Sequence, residues 1–296
     1  MALLKMGIRL MTRITGHTKI IGVIGDPVEH SRSPQMHNSA IQELGLDYVY
    51  VPFHVKPDQI IHAINGFKAL NVVGINVTLP HKKSVLPLMD EVSKEAELIG
   101  AVNTMVFRDG KVFGHNTDAK GFIASLNEEG INNLKGMKVI ILGAGGSAQA
   151  IVTGLAIEGV SNIVIANRTL EKAISLASEM SEKTGISIKG ISLNDSNLSE
   201  FASNCDLLVS TVTSGMDIRL DPVINLDWLK KDCIVCDIVY TPPETNLLIS
   251  AKNKGLKTIG GMGMLVNQGA ISFQLWTGIS PPVKIMREAL FNALFG

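Results

Sequence analysis

The sequence predicts an α/β protein of two domains, the second built on a doubly wound parallel sheet. Three observations carry this. Short runs rich in β-branched residues alternate with segments of helical period along most of the chain. One run, Val139-Ile140-Ile141-Leu142, is apolar at every position, as a strand covered on both faces must be. A length of 296 residues suits two ordinary cores better than one.

Residues 1–19 mix short apolar stretches with Lys5, Arg9, Arg13 and Lys19 and contain no acidic residue. No clear cleavage-site pattern follows, so they read as an extension or a first surface helix rather than a targeting peptide. Residues 20–24 read as a strand stopped by Gly25-Asp26-Pro27. Residues 34–44 read as a helix with Pro34 near its first turn. A strand at 48–55, rich in Tyr and Val, leads to a helix at 58–70 with Ile60, Ile61, Ile64 and Phe67 at helical spacing. A strand at 72–77 and short helices at 83–89 and 93–99 follow. Residues 101–107 and 111–113 pair as a hairpin around Asp109-Gly110, and 118–129 is helical. These elements make a first domain over 20–120.

The second unit opens with the strand at 139–142 and a helix at 147–158. It continues with a strand at 162–166, a helix at 170–182, and strands at 186–191, 207–211, 233–238 and 257–259. That alternation predicts a parallel sheet over a domain spanning 121–264. The boundary falls in the helix after Asp118 and the loop at 132–135. Two closing helices, 265–277 and 283–293, are expected to return to the first domain.

Composition excludes several classes. The 27 basic and 27 acidic residues cancel, whereas a general nucleic-acid binder needs a basic surplus. No apolar run reaches the length of a membrane span. Three cysteines make no disulfide scaffold. Cys233 and Cys236 form a C-x-x-C, but zinc would need a second pair of ligands, and two buried thiols in a strand explain them more simply. The seven histidines form no ligand constellation, and no metal is expected. A reducing, cytoplasmic setting follows as the default.

Gly143-Ala144-Gly145-Gly146-Ser147-Ala148 lies between the apolar strand and the next helix, which is the setting a dinucleotide fingerprint requires. Gly143 permits the tight turn, Gly145 lets the backbone approach a pyrophosphate, and Ala148 allows close packing. The helix N-terminus offers free N–H groups to an anion. The following strand ends in Asn167-Arg168-Thr169, with Lys172 one turn later. No carboxylate stands there to accept from a ribose 2′-hydroxyl, while Arg168 can grip a 2′-phosphate, so NADP is favoured over NAD. The domain is therefore read as a Rossmann-type, NADP-binding domain, with a cleft between it and the first.

An alcohol dehydrogenase needs a group for the hydroxyl proton, a neighbour to orient it and polar groups to place the substrate. Lys82, after a strand, and Asp118, at a helix start, suit the first two roles. Taken alone, Lys82 also reads as a surface lysine and Asp118 as a helix N-cap.

The motifs in order decide between these readings. They are Ser31-Arg32-Ser33-Pro34, Asn76-Val77-Thr78-Leu79-Pro80-His81-Lys82, Gly100-Ala101-Val102-Asn103-Thr104 and Asn116-Thr117-Asp118. The glycine loop, Asn167-Arg168-Thr169, Asp237-Ile238-Val239-Tyr240 and Gly261-Met262-Gly263-Met264-Leu265-Val266-Asn267-Gln268 follow. From about Lys19 onward the chain resembles the shikimate dehydrogenase family. The resemblance implies reversible, NADP-dependent reduction of 3-dehydroshikimate to shikimate, on the way to chorismate and aromatic amino acids. It implies Lys82 and Asp118 as the catalytic pair, and Ser31 and Ser33 on the substrate carboxylate. Asn76, Thr78, Asn103, Tyr240 and Gln268 would hold the ring hydroxyls or frame the site. Ile238 and Gly261 would lie against the nicotinamide. A homodimer is an open expectation.

Two departures keep an alternative open. Lys172 stands where some members carry a second arginine, and lysine lacks the fork. Gln274-Leu275-Trp276-Thr277-Gly278 is similar to quinate/shikimate dehydrogenases, some of which accept NAD and quinate. A non-catalytic dinucleotide-binding regulator is the reading from another class, and the presence of both Lys82 and Asp118 argues against it.

Overall fold

The computed structural model describes residues 14–212 and 222–296. Of the expected extension, residues 1–13 lie outside the described residues. The remainder is tied to the first sheet. Thr18 donates to Asp47 at 2.6 Å, and Lys19 already belongs to the first strand.

The first sheet holds β1 (Lys19–Gly25), β2 (Tyr48–His54), β3 (Gly74–Val77), β4 (Glu91–Val92), β5 (Thr104–Arg108) and β6 (Lys111–His115). Their spatial order is β2-β1-β3-β5-β6-β4. β1 runs parallel to β2 and β3, but β5 is antiparallel to both β3 and β6. The sheet is thus mixed, where strand–helix alternation alone predicts a parallel one. The reversal lies at Asp109 and Gly110, both at positive φ, which join β5 and β6 too tightly for any crossover helix.

Flanking it are α1 (Ser33–Glu43), α2 (Ile60–Ala69) and α3 (Lys94–Ile99). Residues 83–89 do not form the expected helix; turns and a single 3-10 turn, Leu86–Leu88, occupy them. Pro87 is the reason, because it lacks an N–H and biases the residue before it away from the α region. α4 (Asp118–Glu128) leads to the second sheet.

The second sheet comprises β7 (Lys138–Leu142), β8 (Asn162–Asn167), β9 (Ser187–Ser192), β10 (Leu207–Ser210), β11 (Ile234–Asp237) and β12 (Lys257–Ile259). The order is β12-β11-β10-β7-β8-β9, and every pairing is parallel. α5 (Gly146–Ile157), α6 (Leu170–Thr184), α7 (Leu198–Ser203) and α8 (Asn246–Asn253) provide its crossovers and cover. α7 and α8 carry too few turns to announce themselves by period. The apolar run of β7 divides by face. Val139 and Ile141 join one core with Ile151 and Leu155 of α5, and Ile140 and Leu142 join the opposite core with Leu247 and Leu248 of α8.

The same division separates the two thiols of the C-x-x-C. Cys233 lies in one core and Cys236 in the other, so neither a redox pair nor a zinc half-site exists there. The neighbour of Cys233 is Cys205.

The chain closes with α9 (Met262–Thr277) and α10 (Val283–Phe295). Val266, Ala270, Phe273 and Trp276 of α9, with Met286 and Leu290 of α10, share a core with Ile21, Val23, Met36 and Ala40. Both helices therefore pack on the first sheet. Truncating a fully buried ring such as Phe273 to alanine would cost about 3–5 kcal/mol. α9 starts three residues before the expected 265, which places Gly261 and Gln268 on one rigid element. Among the described residues, no helix is long and apolar enough to cross a membrane.

Candidate active site

The carboxyl ends of β1 and β3, the start of α4 and the first turns of α9 converge on a cleft of about 180 Å³ between the two sheets. Every residue expected to touch substrate lines it: Ser31, Ser33, Asn76, Thr78, Lys82, Asn103, Asp118, Tyr240 and Gln268. Ser147, Ile238 and Gly261 line its second-sheet wall, with Val23, His30, Val77, Met264 and Leu265 completing it.

At its centre Lys82 Nζ donates to Asp118 Oδ2 at 2.6 Å. The aspartate side chain is only 8% exposed and the lysine 20%. A pair this dry is held by further hydrogen bonds or it does not form. Asn103 Nδ2 supplies one, donating to Asp118 Oδ1 at 2.7 Å. The backbone N–H of Asp118 donates to Asn116 Oδ1 at 3.0 Å, and Asn116 Nδ2 donates to the Ala101 carbonyl at 2.9 Å. Asp118 is thus the first residue of α4 rather than its cap; Thr117 holds the cap position.

Asn76 behaves differently from its neighbours. Its Oδ1 accepts from the Tyr50 hydroxyl at 2.8 Å, and its Nδ2 faces the Asn103 carbonyl, Thr104 Oγ1 and Ser272 Oγ at 3.1–3.2 Å. The amide is used up inside the protein, so Asn76 frames the wall. Sequence reasoning missed Tyr50, Thr117 and Ser272 as members of this network; a strand and a helix core position carry no signal for Tyr50 and Ser272, whereas Thr117 lay within the Asn116-Thr117-Asp118 motif.

Ser31 and Ser33 stand at the start of α1. Ser31 Oγ accepts from the Ser33 N–H at 3.3 Å, leaving the hydroxyl proton free to donate into the cleft. From the opposite wall Tyr240 closes the site, and burial raises its phenol above the usual range against the opposing charge of Arg32. Its proton therefore stays available for donation. Asp237, also raised by burial, accepts from the Val239 N–H and the Thr245 hydroxyl and so fixes the loop that carries Ile238 and Tyr240.

His81 has no part in the cleft. Its Nε2 donates to the Val55 carbonyl at 2.7 Å and pins the Lys82 loop to the chain after β2. Trp276, from the quinate-like segment, donates through Nε1 to the Met105 carbonyl at 3.0 Å and covers Gly74. Of that segment, Trp276 is core packing and does not line the cleft.

The glycine loop fits a dinucleotide. Gly143 has φ 107° and sits against the Thr211 side chain, where a Cβ would collide. Gly145 and Gly146 have no atom within 4 Å of where a Cβ would stand, so the backbone is open to a ligand. Ala144 and Ser147 are half-buried, and Ala148 is fully buried against the core. α5 begins without a side-chain cap, leaving its first N–H groups free for an anion. At the end of β8, Asn167 Nδ2 donates to the Thr169 carbonyl at 2.9 Å and shapes the turn that presents Arg168. Arg168, Thr169 and Lys172 are exposed, as a 2′-phosphate site on the rim requires. Among the described residues, no group of three or more His, Cys, Asp or Glu side chains could hold a metal ion.

Comparison with known proteins agrees with this geometry. Residues 23–105 match the shikimate dehydrogenase substrate binding domain, 125–238 match shikimate / quinate 5-dehydrogenase, and 261–291 match the shikimate 5′-dehydrogenase C-terminal domain. A protein of Methanopyrus kandleri named shikimate dehydrogenase (NADP(+)) is 47% identical over 95% of this chain and 98% of its own. A crystal structure of a shikimate dehydrogenase in complex with NADP+ superposes with a TM-score of 0.90 at 42% identity, covering 97% of this chain and 99% of that one. The shikimate 5-dehydrogenase of Listeria monocytogenes, solved with shikimate and NAD, gives 0.89 at 38% identity over 94% and 98% of the two chains. With a buried lysine–aspartate pair, a glycine-loop domain and matches along nearly its whole length, the chain belongs to the shikimate dehydrogenase family.

Proposed function

We propose that this chain catalyses the reversible, NADP-dependent reduction of 3-dehydroshikimate to shikimate, a step towards chorismate and the aromatic amino acids. The observation that carries the reading is the Lys82–Asp118 pair, held at 2.6 Å in a cleft walled by hydroxyl and amide side chains. A polyol binds tightly only where its hydroxyls meet fixed partners. On this reading Ser31 and Ser33 donate to the carboxylate, while Thr78, Asn103, Tyr240 and Gln268 position the ring. Residues 20–120 with 265–296 serve as the substrate domain and 121–264 as the cofactor domain.

Hydride donation and acceptance are the chemistry that a bound nicotinamide supplies. Ile238 and Gly261 would lie against it on the second-sheet wall, residues 143–148 would hold the pyrophosphate, and Asn167, Arg168, Thr169 and Lys172 would hold the 2′-phosphate. During reduction Lys82 Nζ gives a proton to the substrate oxygen as charge develops there; during oxidation it takes that proton back. Asp118 aims the lysine and balances its charge. The walls exclude water, which strengthens each of these interactions.

The reading includes a cytoplasmic setting and a homodimer, the latter to be measured by light scattering. Turnover tests the function. Shikimate and quinate, each with NADP and NAD, are followed at the reduced-nicotinamide band. Shikimate with NADP is expected to give the highest kcat/KM. Equal efficiency with quinate or NAD would move the chain to the dual-specificity group, which the exposed, forkless Lys172 favours. Cofactor binding without turnover would support a regulator.

A further inference from the structure

We propose that Ser272, on α9, is a positioning residue for the catalytic pair, acting through a relay of hydrogen bonds from Thr104 to Asn103 to Asp118. The proposal rests on the dehydrogenase reading above. Ser272 lies outside the cleft lining, one helical turn beyond Gln268, and is fully buried. Beyond Gln268 its neighbours on the helix, Phe273 and Trp276, are buried in an apolar core. A hydroxyl in such a place has to be satisfied by partners, and its partners here belong to the catalytic network.

Counting protons gives the relay a direction. Asn103 Oδ1 accepts from the Thr117 N–H at 2.8 Å and from the Thr104 hydroxyl at 2.9 Å, both shorter than its 3.3 Å contact with the Thr117 hydroxyl. We assign the single proton of Thr104 to the second of these contacts. Ser272 Oγ lies 2.8 Å from Thr104 Oγ1; with the Thr104 proton assigned to Asn103, the proton in that contact is the serine's. Asn76 Nδ2 donates to both oxygens at 3.1 Å and so cannot accept in their place. The Gln268 carbonyl at 3.0 Å and the Thr117 hydroxyl at 3.3 Å are the longer alternatives for the serine proton. A hydroxyl that accepts a hydrogen bond becomes a better donor. Ser272 therefore strengthens the grip of Thr104 on Asn103 Oδ1. That grip reinforces the amide orientation set by the Thr117 N–H, which turns Nδ2 towards Asp118 Oδ1. The relay ends at Lys82. Through it, a residue of the C-terminal helix sets the geometry of an aspartate on α4.

Steady-state kinetics of Ser272→Ala, Thr104→Val and the double variant test this, with shikimate Kd, melting temperature and the isotope effect of deuterated reduced cofactor measured alongside. Ser272→Ala is expected to lower kcat about tenfold, the effect of one hydrogen bond, while shikimate Kd and KM change by less than about threefold. The isotope effect rises as the chemical step slows. Adding Ser272→Ala to Thr104→Val is expected to cost less than about twofold more, because both break one chain. Wild-type kcat and isotope effect in Ser272→Ala, with only a lower melting temperature, would overturn the proposal, as would fully multiplicative effects in the double variant. If Ser272→Ala does not fold, Thr104→Ser decides: recovery of most of the loss seen in Thr104→Val supports the relay, and an equal loss overturns it. Wild-type protein without turnover would overturn the dehydrogenase reading and the relay together, whereas wild-type turnover beside an unaffected Ser272→Ala overturns the relay alone.

Discussion

The side-chain amide of Asn103 and the carboxylate of Asp118 form a polarised pair. Asn103 Nδ2 donates to Oδ1 at 2.7 Å, which leaves Oδ2 for Lys82. The amide cannot be turned round, because its Oδ1 already accepts the Thr117 N–H. Asn103 is thus fixed as a donor, facing an oxygen that only accepts. Asn103→Ala would leave that oxygen buried without its donor. It is expected to lower kcat/KM by about tenfold to a hundredfold, and steady-state kinetics with shikimate would check it. Unchanged kinetics would mean that Asp118 needs no such support.

Lys82→Ala removes the amine proposed to transfer the proton. Turnover is expected to fall by about two to four orders of magnitude, with little change in the KM for shikimate. A variant that kept kcat and raised only KM would make Lys82 a binding residue instead. Circular dichroism should accompany the assay, since the change also leaves Asp118 buried and unpaired.

Gly121 and Gln268 set the distance between two helices of the site. A Cβ on Gly121 would come within 2.7 Å of the Gln268 backbone nitrogen and within 2.7 Å of its Cβ. Since Gly121 follows Asp118 by one turn of α4, Gly121→Ala would push Gln268 away from the pair. A kcat/KM loss of about tenfold or more is expected, following from a displacement of about 1 Å, together with a lower melting temperature. Retention of full activity would show that α9 can shift without consequence.

Arg168→Ala is expected to raise the KM for NADP by about tenfold to a hundredfold, the worth of a charge-assisted hydrogen bond, while leaving that for NAD nearly unchanged. Initial rates with each cofactor supply the comparison. Parallel losses for both would place Arg168 on the adenine or the fold rather than on the 2′-phosphate.

His37 is fully buried, stacked on Tyr50 with ring centroids 4.3 Å apart, and neither of its ring nitrogens has a hydrogen-bond partner among the described residues. Burial pushes its pKa down to about 3. Between about pH 6.5 and 3 the unfolded chain binds a proton here that the folded chain refuses, so stability falls on acidification by up to about 1.4 kcal/mol per pH unit. Above that window the group contributes no pH dependence. His37→Phe, which keeps a ring without the titration, is expected to flatten the acid slope of denaturant stability. Identical slopes in the two proteins would refute the assignment.

Much of the chain was readable in advance because local rules governed it. The glycine loop, the apolar β7 and the Asp109-Gly110 hairpin each announce a backbone conformation in a few adjacent residues. The motif series located Lys82, Asp118 and the cleft walls. Reading failed where a local signal was overlooked or too short to register. Pro87 undid the helix expected at 83–89, and β4 is too short to have a period. The reading of the C-x-x-C as two buried thiols held, and the structure adds that they face opposite cores.

The sequence by itself determined the α/β alternation, the dinucleotide loop and the residue types of the reaction, since these depend on neighbours within a turn or a strand. Only the tertiary structure decided how those residues are held. Ser272 meets Thr104 across 168 positions of chain, and Asn76 meets Ser272 across 196. No local propensity encodes such contacts. They arise because α9 crosses back onto the first sheet to bury Val266, Ala270 and Phe273, and that burial brings a serine against the network that aims Asp118.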